Sequence, residues 1–233
     1  MPLIKSKELY KPINKVVHIG AIRKRHAQKA KAKFIELKLA NEVPEFAMRW
    51  AREYEEAQIR KALGGTLFSA EGRALNREIV TRIDGVILKS LCRNKQELRW
   101  ATTINNRHSI AIVAEHYAKQ KKFHKEEFIR AMKIGISSCK AAGQIAQARR
   151  FEKGLADIES VPEGEARLAP DTARKMEKAF DTIGRLQTQA MYRLLGEERL
   201  AILHEAEDIF ASQARKLMWT ILGQKQRNNW FNN

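Results

Sequence analysis

The sequence has little of what marks a secreted or membrane-spanning protein. Its two cysteines, Cys92 and Cys139, cannot form a disulfide framework and fit no CxxC pattern. No apolar run approaches the roughly 20 residues that span a bilayer, and the N-terminal residues lack the apolar core of a secretory signal. We therefore expect a protein of a reducing, cytoplasmic setting that has no membrane partner.

Catalytic motifs are also missing. The chain has no GxxxxGK[ST] or GxGxxG loop, no GxSxG elbow and no HExxH helix. His108, His116 and His124 recur every eight residues, which rotates each by about 80° around a helix and keeps them off one face. The sequence predicts no catalytic residues, no metal site and no cofactor, and hence no enzyme.

Acidic side chains are scarce, with 27 Asp and Glu against 44 Lys and Arg and a net charge of +17. Residues 1–150 hold 32 basic and 14 acidic side chains, whereas residues 151–233 hold 12 and 13. This asymmetry favours an anionic partner that docks on the N-terminal part. The alternative is a basic surface with no partner.

Long segments between few glycines and prolines, 17 in all, predict an all-α protein. Apolar periods predict helices over 21–40, 44–63, 70–93 (capped by Ser69), 109–119 (capped by Ser109), 126–155 with a break near 137–143, 171–195 and 197–222. The predicted organisation is a basic arm over 1–20, a multi-helix basic domain over 21–158, an acidic linker over 159–170, a long C-terminal αα-hairpin over 171–223 and a tail over 224–233.

The helix at 21–40 is the first candidate for binding a polyanion. Its first turn is basic, which opposes the helix dipole, and like charges repel at i,i+4. Something anionic is expected to compensate for both costs. The candidate phosphate-binding residues are Arg23, Lys24, Arg25, Lys29, Lys31, Lys33 and Lys38. The alternative is a solvated helix face.

A second candidate begins in the least regular basic stretch, 94–108, of which a part around 97–103 is compatible with a helix, and continues in the turn at 119–125. It combines an aromatic ring, amides and cations, which are side chains that stack on and contact exposed bases. Its residues are Arg99, Trp100, Asn105, Asn106, Arg107, Lys119, Lys121, Lys122 and Lys125. The alternative is a polar loop between helices, with Trp100 in the core.

The predicted C-terminal hairpin carries apolar residues at alternating spacings of three and four, a pattern typical of a coiled-coil seam. The seam residues considered for an interface are Phe180, Ile183, Gln187, Leu194, Leu203, Phe210 and Leu217. Two interpretations stay open: the helices close on their own chain, or they form a homodimer in which Gln187 sets the register.

These features together predict a nucleic-acid-binding accessory protein, of DNA or RNA, of bacterial, plasmid or phage type. The arm and the first helix would contact phosphates. The alternative is a structural, assembly or inhibitor protein, such as a virion component, whose basic face docks on an acidic protein surface. Salt dependence separates the two, because phosphate binding weakens steeply with added salt.

Overall fold

The computed structural model describes residues 6–13, 17–62, 70–162, 164 and 167–231, and within these residues the fold is all-α, with no β-strand. The helices are α1 (Ser6–Leu9), α2 (Ile19–Glu36), α3 (Val43–Ala62), α4 (Ala70–Leu91), α5 (Lys95–Lys119), α6 (Lys125–Ala141), α7 (Ile145–Glu159) and α8 (Pro170–Phe231). A short 3-10 turn, Leu39–Asn41, follows α2. No described helix is long and apolar enough to cross a membrane.

The chain divides into two compact units, each built from two separate stretches. Unit 1 comprises Met1–His18 and Cys92–Gly196, and unit 2 comprises Ile19–Leu91 and Glu197–Asn233. The division falls inside α8 at Gly196, where φ is 78° and ψ is 175°. Because L side chains rarely adopt such a positive φ, glycine suits this break. The predicted helices 171–195 and 197–222 therefore belong to different units, and their pairing as a hairpin stays a prediction.

The predicted acidic linker at 159–170 does not separate the units. It lies within unit 1, where Leu168 is buried and its backbone N–H donates to the Lys121 carbonyl oxygen at 3.0 Å. The charge asymmetry along the chain is not an asymmetry between the units either. Unit 1 carries 24 basic and 13 acidic side chains, and unit 2 carries 20 and 14. Both units are therefore net basic.

The core of unit 1 forms where α5, α6 and α7 meet residues 170–195. Phe128 packs against Phe180 with ring centroids 4.8 Å apart, and both side chains are fully buried. The predicted break near 137–143 is observed as the turn between α6 and α7. Gly135 lies in the middle of this core, where an added Cβ would be 2.8 Å from the Ile183 side chain. The absence of a side chain is what lets these helices approach.

The described part of the predicted N-terminal arm packs into unit 1 instead of extending from it. Tyr10 is 2% exposed, and its hydroxyl donates to the fully buried Gln187 Oε1 at 3.0 Å. Gln187 Nε2 in turn donates to the Ser138 hydroxyl at 3.0 Å, and Gln144 Nε2 donates to the Tyr10 carbonyl oxygen at 2.9 Å. Because buried polar groups need partners, this network fixes the segment in place.

In unit 2, α3 packs against the C-terminal segment of α8, residues 197–231. Phe46 meets Phe210 edge to face with centroids 5.0 Å apart. Further along, a small apolar cluster is formed by Ala47, Ala51, Met218 and Leu222. The small alanines let the two helices approach closely at this point.

One predicted helix start is wrong. The structure begins α5 at Lys95, so that residues 94–108 are mostly helical, and Ser109 lies in the interior with its hydroxyl bonded to the Asn105 carbonyl oxygen at 3.1 Å. Asn94 is the cap, since its side chain accepts from the Glu97 N–H at 2.8 Å. The predicted cap at Ser69 lies outside the described residues.

Replacing Gly135 by Ala should destabilise unit 1, because the new methyl group would overlap the Ile183 and Phe151 side chains. Overpacking of this kind costs about 1–3 kcal/mol. Gly85→Ala is the matched control, since no heavy atom lies within 4 Å of its Cβ position in α4. Urea denaturation should show a gain of up to about 1 kcal/mol for Gly85→Ala. Equal effects at the two glycines would contradict this account.

Candidate nucleic-acid interface

Helix α2 buries one face and exposes the rest of its surface. Ile22, Ala30 and Phe34 are buried, and the basic residues spread around the remaining surface. The structure thus places six of the seven candidate residues on α2, with Lys38 just after its end, and it gives them very different surroundings.

Three of the seven basic residues are paired with carboxylates at the start of the 197–231 segment. The pairs are Arg23 with Glu205 at 2.8 Å and with Asp208 at 2.5 Å, Arg25 with Glu197 at 2.5 Å, and Lys29 with Glu198 at 3.0 Å. The hydrogen bond from Lys29 also lowers the pKa of Glu198. The anionic compensation expected for this helix is therefore present within the chain.

The other members of this set divide further. Lys33 lies 2.6 Å from Glu36 on its own helix. Lys24, Lys31 and Lys38 are exposed and have no ion pair among the described residues. Lys38 follows the helix with φ 52° and ψ 30°, a left-handed conformation that carries it into the 3-10 turn.

The second candidate set is dispersed over α5 and is not gathered into one site. Asn105 is buried, Trp100 is half-buried, and Arg107 donates to the Tyr10 hydroxyl at 3.3 Å. Arg99 and Asn106 are exposed, and they share a face because the seven positions that separate them make nearly two full turns. This face differs from that of the buried Asn105. The residues chosen for their combination of ring, amide and cation therefore do not form one surface.

The basic turn after α5 has a structural role in unit 1. Lys125 Nζ donates to the carbonyl oxygens of Glu159 at 3.2 Å and Val161 at 2.8 Å. Lys119 forms an ion pair with Glu115, and the backbones of Lys122 and Arg167 form an isolated antiparallel β-bridge. The carbonyl oxygen of the exposed Lys121 accepts the hydrogen bond from the Leu168 N–H. Lys121, Lys122 and Lys125 of this turn are thus bonded to the 159–170 segment of unit 1.

The seam residues proposed as an interface are already covered within one chain. Phe180, Ile183, Gln187 and Leu194 are buried in unit 1, Leu203 and Phe210 are buried in unit 2, and Leu217 is half-buried there. Side chains covered in this way are not available to a second copy. A homodimer through these residues therefore gains no support.

A buried acidic cluster in unit 2 was not foreseen. Asp84 on α4 is 4% exposed, and its carboxyl group is hydrogen-bonded to that of Glu207. Glu207 Oε2 lies 3.4 Å from His204 Nδ1, whereas Oε1 is sealed from solvent without a hydrogen-bond donor. Burial of the Glu207 carboxyl group disfavours its ionised form, because a charge is poorly solvated there.

The surroundings of this cluster change the pKa values of Glu207 and His204. Burial raises the pKa of Glu207 to about 7, and the hydrogen bond to Asp84 acts in the opposite direction. Burial, followed by the positive charge of Arg23, lowers the pKa of His204. The sequence signal was an acidic residue within each apolar stripe: Asp84 follows Ile83 on α4, and Glu207 interrupts the heptad pattern.

No three His, Cys, Asp or Glu side chains among the described residues are grouped so that they could hold a metal ion. His108, His116 and His124 have other contacts. His108 Nδ1 lies 3.3 Å from the Gly184 carbonyl oxygen, His116 contacts Gln120, and the His124 ring lies 3.9 Å from that of Tyr117. Burial raises the pKa of Cys139 to about 11, so that its thiol stays protonated at neutral pH.

Comparison of the chain with models of protein families, with curated proteins and with solved structures finds no match. The chemistry of the surface therefore has to carry any functional conclusion.

Replacing Glu207 by Gln should alter the pH dependence of stability. The native state keeps the Glu207 proton up to about pH 7, whereas an unfolded glutamate loses it near 4.5, so that the free energy of unfolding falls as pH rises between these values. Above about pH 7 the loss is complete, and it amounts to at most about 3 kcal/mol. Urea denaturation at pH 5 to 8 should show a fall in the wild type relative to Glu207→Gln, since the lowered pKa of His204 contributes an opposite change to both proteins.

Glu198→Gln is the control for this comparison, because Glu198 is an exposed carboxylate on the same segment with a lowered pKa. Its loss should leave the slope between pH 5 and 8 unchanged. Parallel pH profiles for the wild type and Glu207→Gln would show that Glu207 ionises normally.

Proposed function

We propose that this protein binds nucleic acid through phosphate contacts from the exposed face of α2, which carries Lys24 and Lys31, and from Lys38 just after the helix. The observation that carries the proposal is the set of three cations, Lys24, Lys31 and Lys38, that are exposed and have no ion pair among the described residues. Cations of this kind can exchange solvent counterions for phosphates, which drives binding that does not depend on base sequence.

The spacing of these residues suits an extended polyanion. Lys24, Gln28, Lys31 and Ile35 share one face, because they are separated by steps of four, three and four residues. Lys24 and Lys31 are about 10 Å apart along the helix axis, at 1.5 Å for each residue. Gln28 between them is exposed and offers an amide that can donate to a phosphate oxygen.

Three cations of α2 are left out of the proposed binding face because they are already paired with carboxylates. Arg23, Arg25 and Lys29 hold carboxylates of their own unit, so a phosphate would have to displace an existing partner to reach them. The three unpaired lysines meet no such competition. The overall charge of +17, which is spread over two net-basic units, further favours a polyanion as the partner.

A second candidate function is docking on an acidic protein surface, as in an assembly or inhibitor protein. The observation that favours it is Ile35, which is 74% exposed among the unpaired lysines. An apolar residue surrounded by polar ones is typical of protein interfaces. Such binding would be far less sensitive to salt than binding to phosphates.

Changing Lys24, Lys31 and Lys38 together to Gln should weaken binding to nucleic acid and flatten its salt dependence. Loss of three phosphate contacts should lower the slope of log K against log salt by about 2 for single strands and nearly 3 for duplexes. Fluorescence anisotropy with labelled single- and double-stranded DNA and RNA, over a salt series, measures both effects.

The matched control changes Lys133, Lys175 and Lys178 to Gln. These are exposed lysines of unit 1 without ion pairs among the described residues, so that the net charge falls by the same amount. Equal losses in the two variants would mean that total charge, and not the α2 face, governs binding. No binding of the folded wild type to any of the four ligands at about 100 mM salt would overturn the proposal and favour a protein partner.

A further inference from the structure

Two aromatic rings of unit 2 face solvent side by side. Tyr54 on α3 is 38% exposed, and Trp219 on the 197–231 segment is 51% exposed. The rings meet edge to face, with centroids 5.2 Å apart and planes inclined at 71°. The contact between them holds both rings in place, yet about half of the indole surface remains uncovered.

These rings are not needed to close the apolar contact between the two helices. That contact is made by Ala47, Ala51, Met218 and Leu222, all of them buried. Leu217 and Ile221 continue the apolar stripe of the segment, and Trp219 lies off it. A fixed pair of exposed aromatic rings is a larger apolar feature than a single exposed side chain such as Ile35.

The charge beside Trp219 is positive. Arg215 and Lys216 precede it by four and three residues, which places them one turn away along the same side of the helix. Both are exposed and have no ion pair among the described residues. On the Tyr54 side, the adjacent Glu55 is neutralised by Lys225 at 2.7 Å. Glu53 and Glu56 also lie within two positions of Tyr54, where burial and the charge of Glu56 raise the pKa of Glu53. The available cations therefore lie on the Trp219 side of the pair.

We propose that Tyr54 and Trp219 form a stacking platform for unpaired bases, with Arg215 and Lys216 binding phosphates next to Trp219, and that the preferred ligand is single-stranded nucleic acid. Bases within a duplex already stack on one another, so that an aromatic ring can reach their faces only in a single strand. The platform rests on the proposed function for its class of partner, but it is a second site, on different residues from the α2 face.

Anisotropy titrations with a thymidylate single strand of about 20 nucleotides, and with its duplex, test the platform. The variant that changes both Tyr54 and Trp219 to Leu should lose about tenfold or more in affinity for the single strand and little for the duplex. Trp219→Phe, which keeps a ring, should retain most of the single-strand affinity. Circular dichroism should show that all three proteins keep their helical content.

Tryptophan fluorescence gives a second measurement. The chain has four tryptophans, so the signal of Trp219 is the difference between the wild type and Trp219→Leu. The single strand should quench this difference signal, and the duplex should not.

The two proposals fail in different ways. Unchanged single-strand affinity in the double Leu variant, or an equal loss for single strand and duplex, would overturn the platform and leave the phosphate contacts of α2 standing. Absence of any salt-dependent binding by the wild type would overturn both. Binding that depends on the rings and also disappears when Arg215 and Lys216 are changed to Gln would support the proposed platform, in which the rings stack on bases and these two cations bind phosphates.

Discussion

The pairing of the basic helix α2 with the acidic start of the 197–231 segment is the constraint on which unit 2 depends. The two partners lie more than 170 residues apart in sequence, since Arg23 meets Glu205 and Arg25 meets Glu197. Exposed ion pairs contribute only about 0–1 kcal/mol each. Their main effect here is to offset the repulsion among cations that would otherwise oppose the helix and its approach to the core.

This pairing also decides which cations remain for a partner. Arg23, Arg25 and Lys29 serve the fold, and Lys24, Lys31 and Lys38 face solvent. Arg23 has a further consequence, because its charge adds to the effect of burial, which is the main cause that lowers the pKa of His204. Charge in unit 2 is thus distributed between an internal network, which ties three helices together, and an external face.

Most of the helices could be predicted from the sequence, because their apolar residues recur at helical spacing. The α3 start beside Pro44 and the break between α6 and α7 followed from proline and glycine positions. The start of α5 was missed because Trp100, Asn105 and Asn106 resemble a polar loop. Only the structure shows that Asn94 caps this helix and that Asn105 is buried inside it.

The candidate site was less predictable. Its basic residues lie close together in sequence, whereas the carboxylates that pair with them lie far away in sequence. Seven basic residues on α2 were evident from the sequence, but nothing near them in sequence shows which ones meet Glu197, Glu198, Glu205 or Asp208. The heptad position of Gln187 left open whether it sets a dimer register or lies inside its own chain, and the structure shows it bonded to Tyr10 and Ser138 inside unit 1. The pair of Tyr54 and Trp219 was missed for the same reason, since 165 positions separate the two rings.

Lysine acetylation followed by mass spectrometry, with and without a bound oligonucleotide, shows which lysines contact nucleic acid. We expect Lys24, Lys31 and Lys38 to lose reactivity when the nucleic acid binds, because phosphates cover their ammonium groups. Lys133, Lys175 and Lys178, exposed on unit 1, should react equally in both states. Protection of the unit 1 lysines with none at Lys24, Lys31 and Lys38 would contradict the account.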